Sequence, residues 1–166
     1  MNGKHVVIII AEGYSEADMW TAYYRFQEEG ADVIVAGPKK GTVYGRGLRG
    51  KDGRKAEITH TIEEARQLPC DLIFLPGGTW SAMELRMYDP TLHYIKTQID
   101  KGVLVCAVEH AAWILISSGA VKGRKICCTS DCGDDIANSG GIYLPGPGDT
   151  PVFPAFQARK LCCLHR

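Results

Sequence analysis

Apolar residues in this chain fall into two kinds of run. Val6 to Ala11, Leu72 to Leu75 and Val103 to Val108 are short and show no polar alternation. That is the pattern of strands buried on both faces of a parallel sheet. The first strand is read as His5 to Ala11. Ser15 then opens a helix running to about Glu29, Gly30 stops it, and Asp32 to Ala36 forms the second strand. A β-α-β start of this kind implies a parallel pair. Further along, Thr61 to Leu68 reads as a short helix, Pro90 to Lys101 as an amphipathic helix, and Ala111 to Ile116, apolar all round, as a buried one. Lys125 to Thr129 is expected as a strand, and Asp134 to Ser139 as a short helix. Gly140 to Pro145 reads as a near-direct connection to the turn Pro145-Gly146-Pro147-Gly148-Asp149. Thr150 to Leu164 is then expected as a final helix, with Pro151 and Pro154 near its first turns. The predicted fold is an α/β, doubly wound sandwich with a mostly parallel central sheet. Its ligand site is expected at the carboxyl ends of the strands.

Gly102 to Trp113, GVLVCAVEHAAW, is the centre of this pattern. Between its strand and its helix stand only Glu109 and His110, two ionisable groups in a tight turn of the core. A strand-turn-helix of this form is nucleophile-elbow-type: it presents one side chain above the sheet and sets the helix N-terminus behind it. Glu109 holds the presented position. It reads either as a chemical group or as a helix-start carboxylate, a placement worth about 0.3–1 kcal/mol. Pro76-Gly77-Gly78 follows another central strand, so its N–H groups read either as anion donors or as a plain β-to-α turn. Ser15 with Asp18 matches a capping box. Trp80 and Trp113 read as pocket walls or as core.

Composition narrows the chemistry. A chain of 166 residues fits one domain spanning 1–166. Its 19 basic and 19 acidic residues balance, with no basic run, which argues against nucleic-acid or anionic-membrane partners. The N-terminal apolar run is too short for a membrane span and lacks a signal-peptide pattern, so a cytoplasmic location is expected. Seven cysteines, an odd number, read as reduced thiols. Cys127-Cys128, Cys162-Cys163 and Cys132 contain no CxxC, and neither a metal nor an organic cofactor is expected. Gly45 to Gly50 matches GxGxxG formally, but turn residues follow it and Ala56 to Ile58 resumes as strand, so a hairpin is expected instead of a dinucleotide site.

The stretches HVVIIIAEGYSEADM, DLIFLPGG, AVEHAAWILISSGAVKGRK and PGPGD, in this order over most of the chain, resemble the ThiJ/PfpI family of the class I glutamine-amidotransferase-like superfamily. The resemblance implies a flavodoxin-like sandwich, a homodimer or larger homo-oligomer, and an elbow cysteine as nucleophile with an acid from the first helix beside it. Asp18 matches that acid, and His110 matches the histidine that follows the nucleophile. The nucleophile position holds Glu109, which makes this an atypical member. Cys106 lies three residues earlier, and period-2 alternation points it to the opposite face. At Ser130-Asp131, where relatives often place Tyr or His near the pocket, the pattern also departs.

On that geometry Glu109 and Asp18 face each other, and two carboxylates so close are expected to share a proton and act as an acid/base pair. The implied activity is cofactor-independent proton transfer on a small carbonyl-containing molecule, of isomerase, lyase or hydratase type. Glu109, Asp18 and His110 are the catalytic candidates, and Gly77, Gly78, Trp80, Trp113 and Ser130 the substrate-binding ones. Two rival readings stand beside it. One is a non-catalytic binding, regulatory or chaperone-like protein. The other is family-type hydrolase, glyoxalase or isocyanide hydratase activity carried by another residue.

Overall fold

The computed structural model describes residues 1–46, 52–145 and 161–164. In chain order they form β1 (His5–Ile9), α1 (Glu16–Glu28), β2 (Asp32–Gly37), β3 (Gly41–Arg46), β4 (Asp52–Ile58), β5 (His60–Thr61), α2 (Ile62–Ala65), β6 (Leu72–Leu75), α3 (Thr79–Arg86), α4 (Asp89–Asp100) and β7 (Leu104–Val108). A 3-10 turn, Glu109–Ala111, leads into α5 (Ala112–Ser117), followed by β8 (Lys125–Cys127). A second 3-10 turn, Ser130–Cys132, leads into α6 (Gly133–Asn138), then β9 (Ile142–Leu144) and β10 (Leu161–Leu164).

Six strands make the central sheet in the order β5-β2-β1-β6-β7-β10, every neighbouring pair parallel. This is the α/β, flavodoxin-like arrangement. The unbroken apolar runs fit it because each central strand is covered on both sides. Val7, Ile9, Ile73, Leu75, Val105 and Ala107 pack with Leu85, Ile95, Ile114 and Ile136 from the helices of one layer. Their neighbours Val6, Ile8, Phe74 and Val108 pack with Met19 of α1 and with Ala56 and Ile58 of β4 on the other. Each such side chain stabilises the fold by roughly 1.5–3 kcal/mol when fully buried. Cys106 joins the second cluster, on the same face as Val108.

Several expectations change. Leu161 to Leu164 was expected to end a helix. It is instead a strand in register with Val105 to Val108, an apolar segment that pairs an otherwise open sheet edge. The remainder of that expected helix lies outside the described residues. Gly140 to Pro145 is not a bare connection, because Ile142–Leu144 pairs in parallel with Lys125–Cys127. α3 was not anticipated: it is short, Ala82 and Leu85 give it a narrow buried stripe, and Trp80 and Met83 face outward. Ser15 sits at the N-cap of α1 without a side-chain capping hydrogen bond; the capping box is at Thr61 and Glu64. The GxGxxG match runs into residues outside the described ones. Its flanks β3 and β4 pair antiparallel, as a hairpin does.

Candidate active site

β1, β6 and β7 are parallel neighbours, so the loops after them open at one edge of the sheet. The turn after β7 carries Glu109 at φ 52°, the one non-glycine residue with positive φ among the described residues. An L-residue there costs about 1–2 kcal/mol, which the surrounding packing must hold. The turn after β1 leads into α1 and sets Asp18, buried, in that helix's first turn. The turn after β6 supplies Gly77, whose N–H donates to Asp18 Oδ2 at 3.2 Å.

Gly77 shows how closely the two acids approach. A Cβ on it would lie 2.6 Å from Glu109 Oε2 and 2.7 Å from Asp18 Oδ2, so both carboxylates converge on one point. Their separation cannot exceed the sum of those distances. Gly78 is required for a different reason. At φ 106° its Cβ would meet the Gly13 carbonyl at 2.5 Å, and Ser15 N–H donates to the Gly77 carbonyl at 2.8 Å to lock the two turns together. Any other residue here would separate the β1 and β6 loops.

These turns form the floor of a cleft of about 750 Å³, lined by Glu109, His110, Gly78, Thr79, Trp80, Trp20, Arg46 and Arg54 among others. The arginines come from the hairpin. Arg54 lies over the Trp20 ring at 4.5 Å and Arg46 over Trp80 at 5.5 Å, a cationic and aromatic wall facing the acidic floor. Tyr14, fully buried behind the cleft, donates its hydroxyl to the Arg54 carbonyl, and burial pushes its phenol up to about 12.

His110 also lines the cleft, but its ring nitrogens meet a different set of groups. Its Nε2 lies 2.8 Å from Asp131 Oδ2 and its Nδ1 3.5 Å from Thr79 Oγ1. The Thr129 hydroxyl donates to Asp131 Oδ1 and holds that carboxyl below its usual range, with His110 adding to the effect. Beside this pair, the buried Cys132 thiol is pulled down to about 7, chiefly by its hydrogen bond with Cys128.

The structure therefore brings Glu109, Asp18 and Gly77 together and sets His110, Gly78 and Trp80 around the same cleft. It places two candidates elsewhere. The Trp113 indole N–H donates to Asp135 Oδ2 at 2.9 Å, with its ring edge-on to His110. Ser130 is exposed at the start of the second 3-10 turn and does not line the cleft. The Gly77 N–H, expected as a substrate donor, is taken by Asp18. Arg46, Arg54 and Trp20 were missed; the signal for the two arginines was the basic, glycine-rich hairpin itself, and Trp20 lies one turn into α1. Asp131 was missed because only the fold sets it against His110.

Comparisons with known proteins agree with the fold. A family profile described as the DJ-1/PfpI family matches residues 4–148. A protein of Thermococcus kodakarensis named a deglycase is 29% identical over 139 residues, covering 84% of this chain and 80% of its own. Among solved structures, Drosophila melanogaster DJ-1beta superposes with a TM-score of 0.79 at 20% identity, over 100% of this chain and 83% of its own. A two-domain protein from Anabaena variabilis, with dj-1/thij/pfpi-like and ferritin-like domains, superposes with a TM-score of 0.82 at 22% identity. That match covers 98% of this chain, which spans 43% of the larger protein.

Proposed function

Because this chain belongs to the DJ-1/PfpI family, we propose that it is an enzyme of that fold in which Glu109 takes the place of a nucleophilic cysteine. Relatives carry the name deglycase, an enzyme name, which supports a working site. The reaction we assign is cofactor-independent proton transfer on a small carbonyl-containing molecule, of isomerase, lyase or hydratase type. The observation that carries it is the convergence of the Glu109 and Asp18 carboxylates on Gly77, with Glu109 lining the cleft.

In this reading Glu109 removes a proton from the carbon beside the carbonyl, and the electron pair moves onto the carbonyl oxygen. Backbone N–H groups of Gly78 and His110 hold that oxygen. Asp18, anchored by Gly77, orients Glu109 and shares the proton until it returns to the product. Arg46 and Arg54 face the reacting floor and favour a substrate that also bears an anionic group, with Trp20 and Trp80 as apolar contacts. No helix among the described residues is long and apolar enough to cross a membrane. A homodimer or larger homo-oligomer and a cytoplasmic location belong to the same proposal.

The test is a proton-NMR screen in D2O of carbonyl, enone and isocyanide compounds with wild type, Glu109→Gln and Asp18→Asn. Deuterium incorporation or turnover by the wild type, lost in Glu109→Gln, is the expected result. Equal behaviour of wild type and Glu109→Gln would overturn the assignment.

A further inference from the structure

Next to Glu109 in the elbow turn, three different donor types meet. His110 Nε2, an Asp131 carboxylate oxygen and Cys132 Sγ all lie within 4.8 Å of one another. The set spans burial levels: Cys132 is fully buried, the His110 side chain 19% exposed and the Asp131 side chain 61% exposed, so the cluster opens to solvent through Asp131. We propose that His110, Asp131 and Cys132 hold a zinc-type divalent cation. This proposal is independent of the proton-transfer reading, which uses the Glu109 side chain and the backbone of His110.

The donor chemistry selects the ion. Imidazole nitrogen, carboxylate oxygen and thiolate sulfur together suit zinc and its borderline-soft neighbours, whereas magnesium and calcium take oxygen sets. In a tetrahedral site with zinc–ligand bonds of roughly 2.0–2.3 Å, donor atoms sit about 3.3–3.8 Å apart. The His110–Asp131 contact of 2.8 Å would open slightly and any spacing near the 4.8 Å limit would close by about an ångström, which short side-chain rotations supply. Three protein ligands leave a fourth position for water on the exposed Asp131 side.

Each donor is also held by an outer contact, as metal ligands commonly are. Thr79 Oγ1 stands 3.5 Å from the other ring nitrogen of His110. The Thr129 hydroxyl binds the Asp131 oxygen that does not face His110. Cys128 hydrogen-bonds the Cys132 sulfur, and Thr129 Oγ1 lies 3.4 Å from it. Cys128 and Cys132 are separated by three residues, a spacing found in zinc-binding loops, although no CxxC occurs. The expectation of no metal site rested on that missing motif and took no account of the partners the elbow supplies. A bound ion would tie the elbow turn to the segment between β8 and α6, and so fix the turn that carries Glu109.

The experiment is a Co²⁺ titration of the full chain, stripped of metal and kept reduced with a phosphine, followed by thiolate-to-cobalt charge-transfer absorption and reversed with Zn²⁺. The expected result is a saturable band at one ion per chain, absent in Cys132→Ser. Affinity in Asp131→Asn should fall at least about 10-fold. Asp131 is exposed, so that variant keeps the test decisive if Cys132→Ser fails to fold. No band in the wild type, a band that survives in folded Cys132→Ser, or undiminished affinity in Asp131→Asn would overturn the site. None of these readouts involves turnover, so failure here and failure of the enzymatic assignment are separate events.

Discussion

Glu109 and His110 are consecutive residues of one turn and line one cleft, yet their side chains meet different partners. The Glu109 carboxylate meets that of Asp18 at Gly77, the three residues lying on the connections and the α1 start that follow adjacent parallel strands. His110 looks outward to Asp131 and Cys132, which come from a 3-10 turn beyond the small sheet of β8 and β9. The first neighbourhood is set by strand order and close glycine packing. The second is set by hydrogen bonds among Thr79, Thr129, Asp131 and Cys128. A positive φ at Glu109 makes the division possible, because it turns two successive side chains out of simple alternation.

The sharpest separation of the two sides is kinetic. Glu109→Gln should lower turnover by roughly 10²–10⁴-fold, the usual worth of a general base, while Ser130→Ala, exposed and outside the cleft, should leave kcat and KM unchanged in the same assay. Stability gives the next contrast. Gly78→Ala would place a Cβ 2.5 Å from the Gly13 carbonyl at φ 106°, and urea unfolding should show a loss of about 2–3 kcal/mol. Glu109→Gly should move the other way: relief of the left-handed backbone raises stability by about 1 kcal/mol as activity disappears, a signature of strain kept for function.

The smallest expected effect concerns the wall behind the cleft. Tyr14 keeps its phenol proton to about pH 12 in the fold, against 10.0 for an ordinary tyrosine, because it is buried. The unfolded chain therefore gives up that proton first, and stability falls as pH rises through this interval. Tyr14→Phe should flatten that alkaline decline in denaturation curves measured at successive pH values.

Legibility in the sequence follows the same division. The meeting of these groups could be read because Gly77 and Glu109 follow strands marked by unbroken apolar runs, Asp18 opens the helix after a third, and strand order places all three at one edge. Of the two readings of Asp18, the capping box with Ser15 is not formed, and nothing in sequence says that the carboxylate accepts from a backbone N–H 59 residues away. Arg46 and Arg54 were hidden because a hairpin can lean in any direction until Ala56 and Ile58 bury against the sheet. Leu161 to Leu164 is ambiguous as four apolar residues, and only an open edge at β7 makes it a strand. The thiol side was hardest to see: Asp131 and Cys132 meet His110 through loops whose paths follow from tertiary packing.

Turnover after exhaustive alkylation decides whether a carboxylate does the work of a thiol at this elbow. Wild type and Glu109→Gln would be treated with iodoacetamide, and each assayed before and after on whichever carbonyl compound the deuterium screen identifies. The account predicts that wild-type turnover survives alkylation and that Glu109→Gln is inactive with or without it. Activity abolished by alkylation and retained in untreated Glu109→Gln would assign the chemistry to a cysteine and contradict the account.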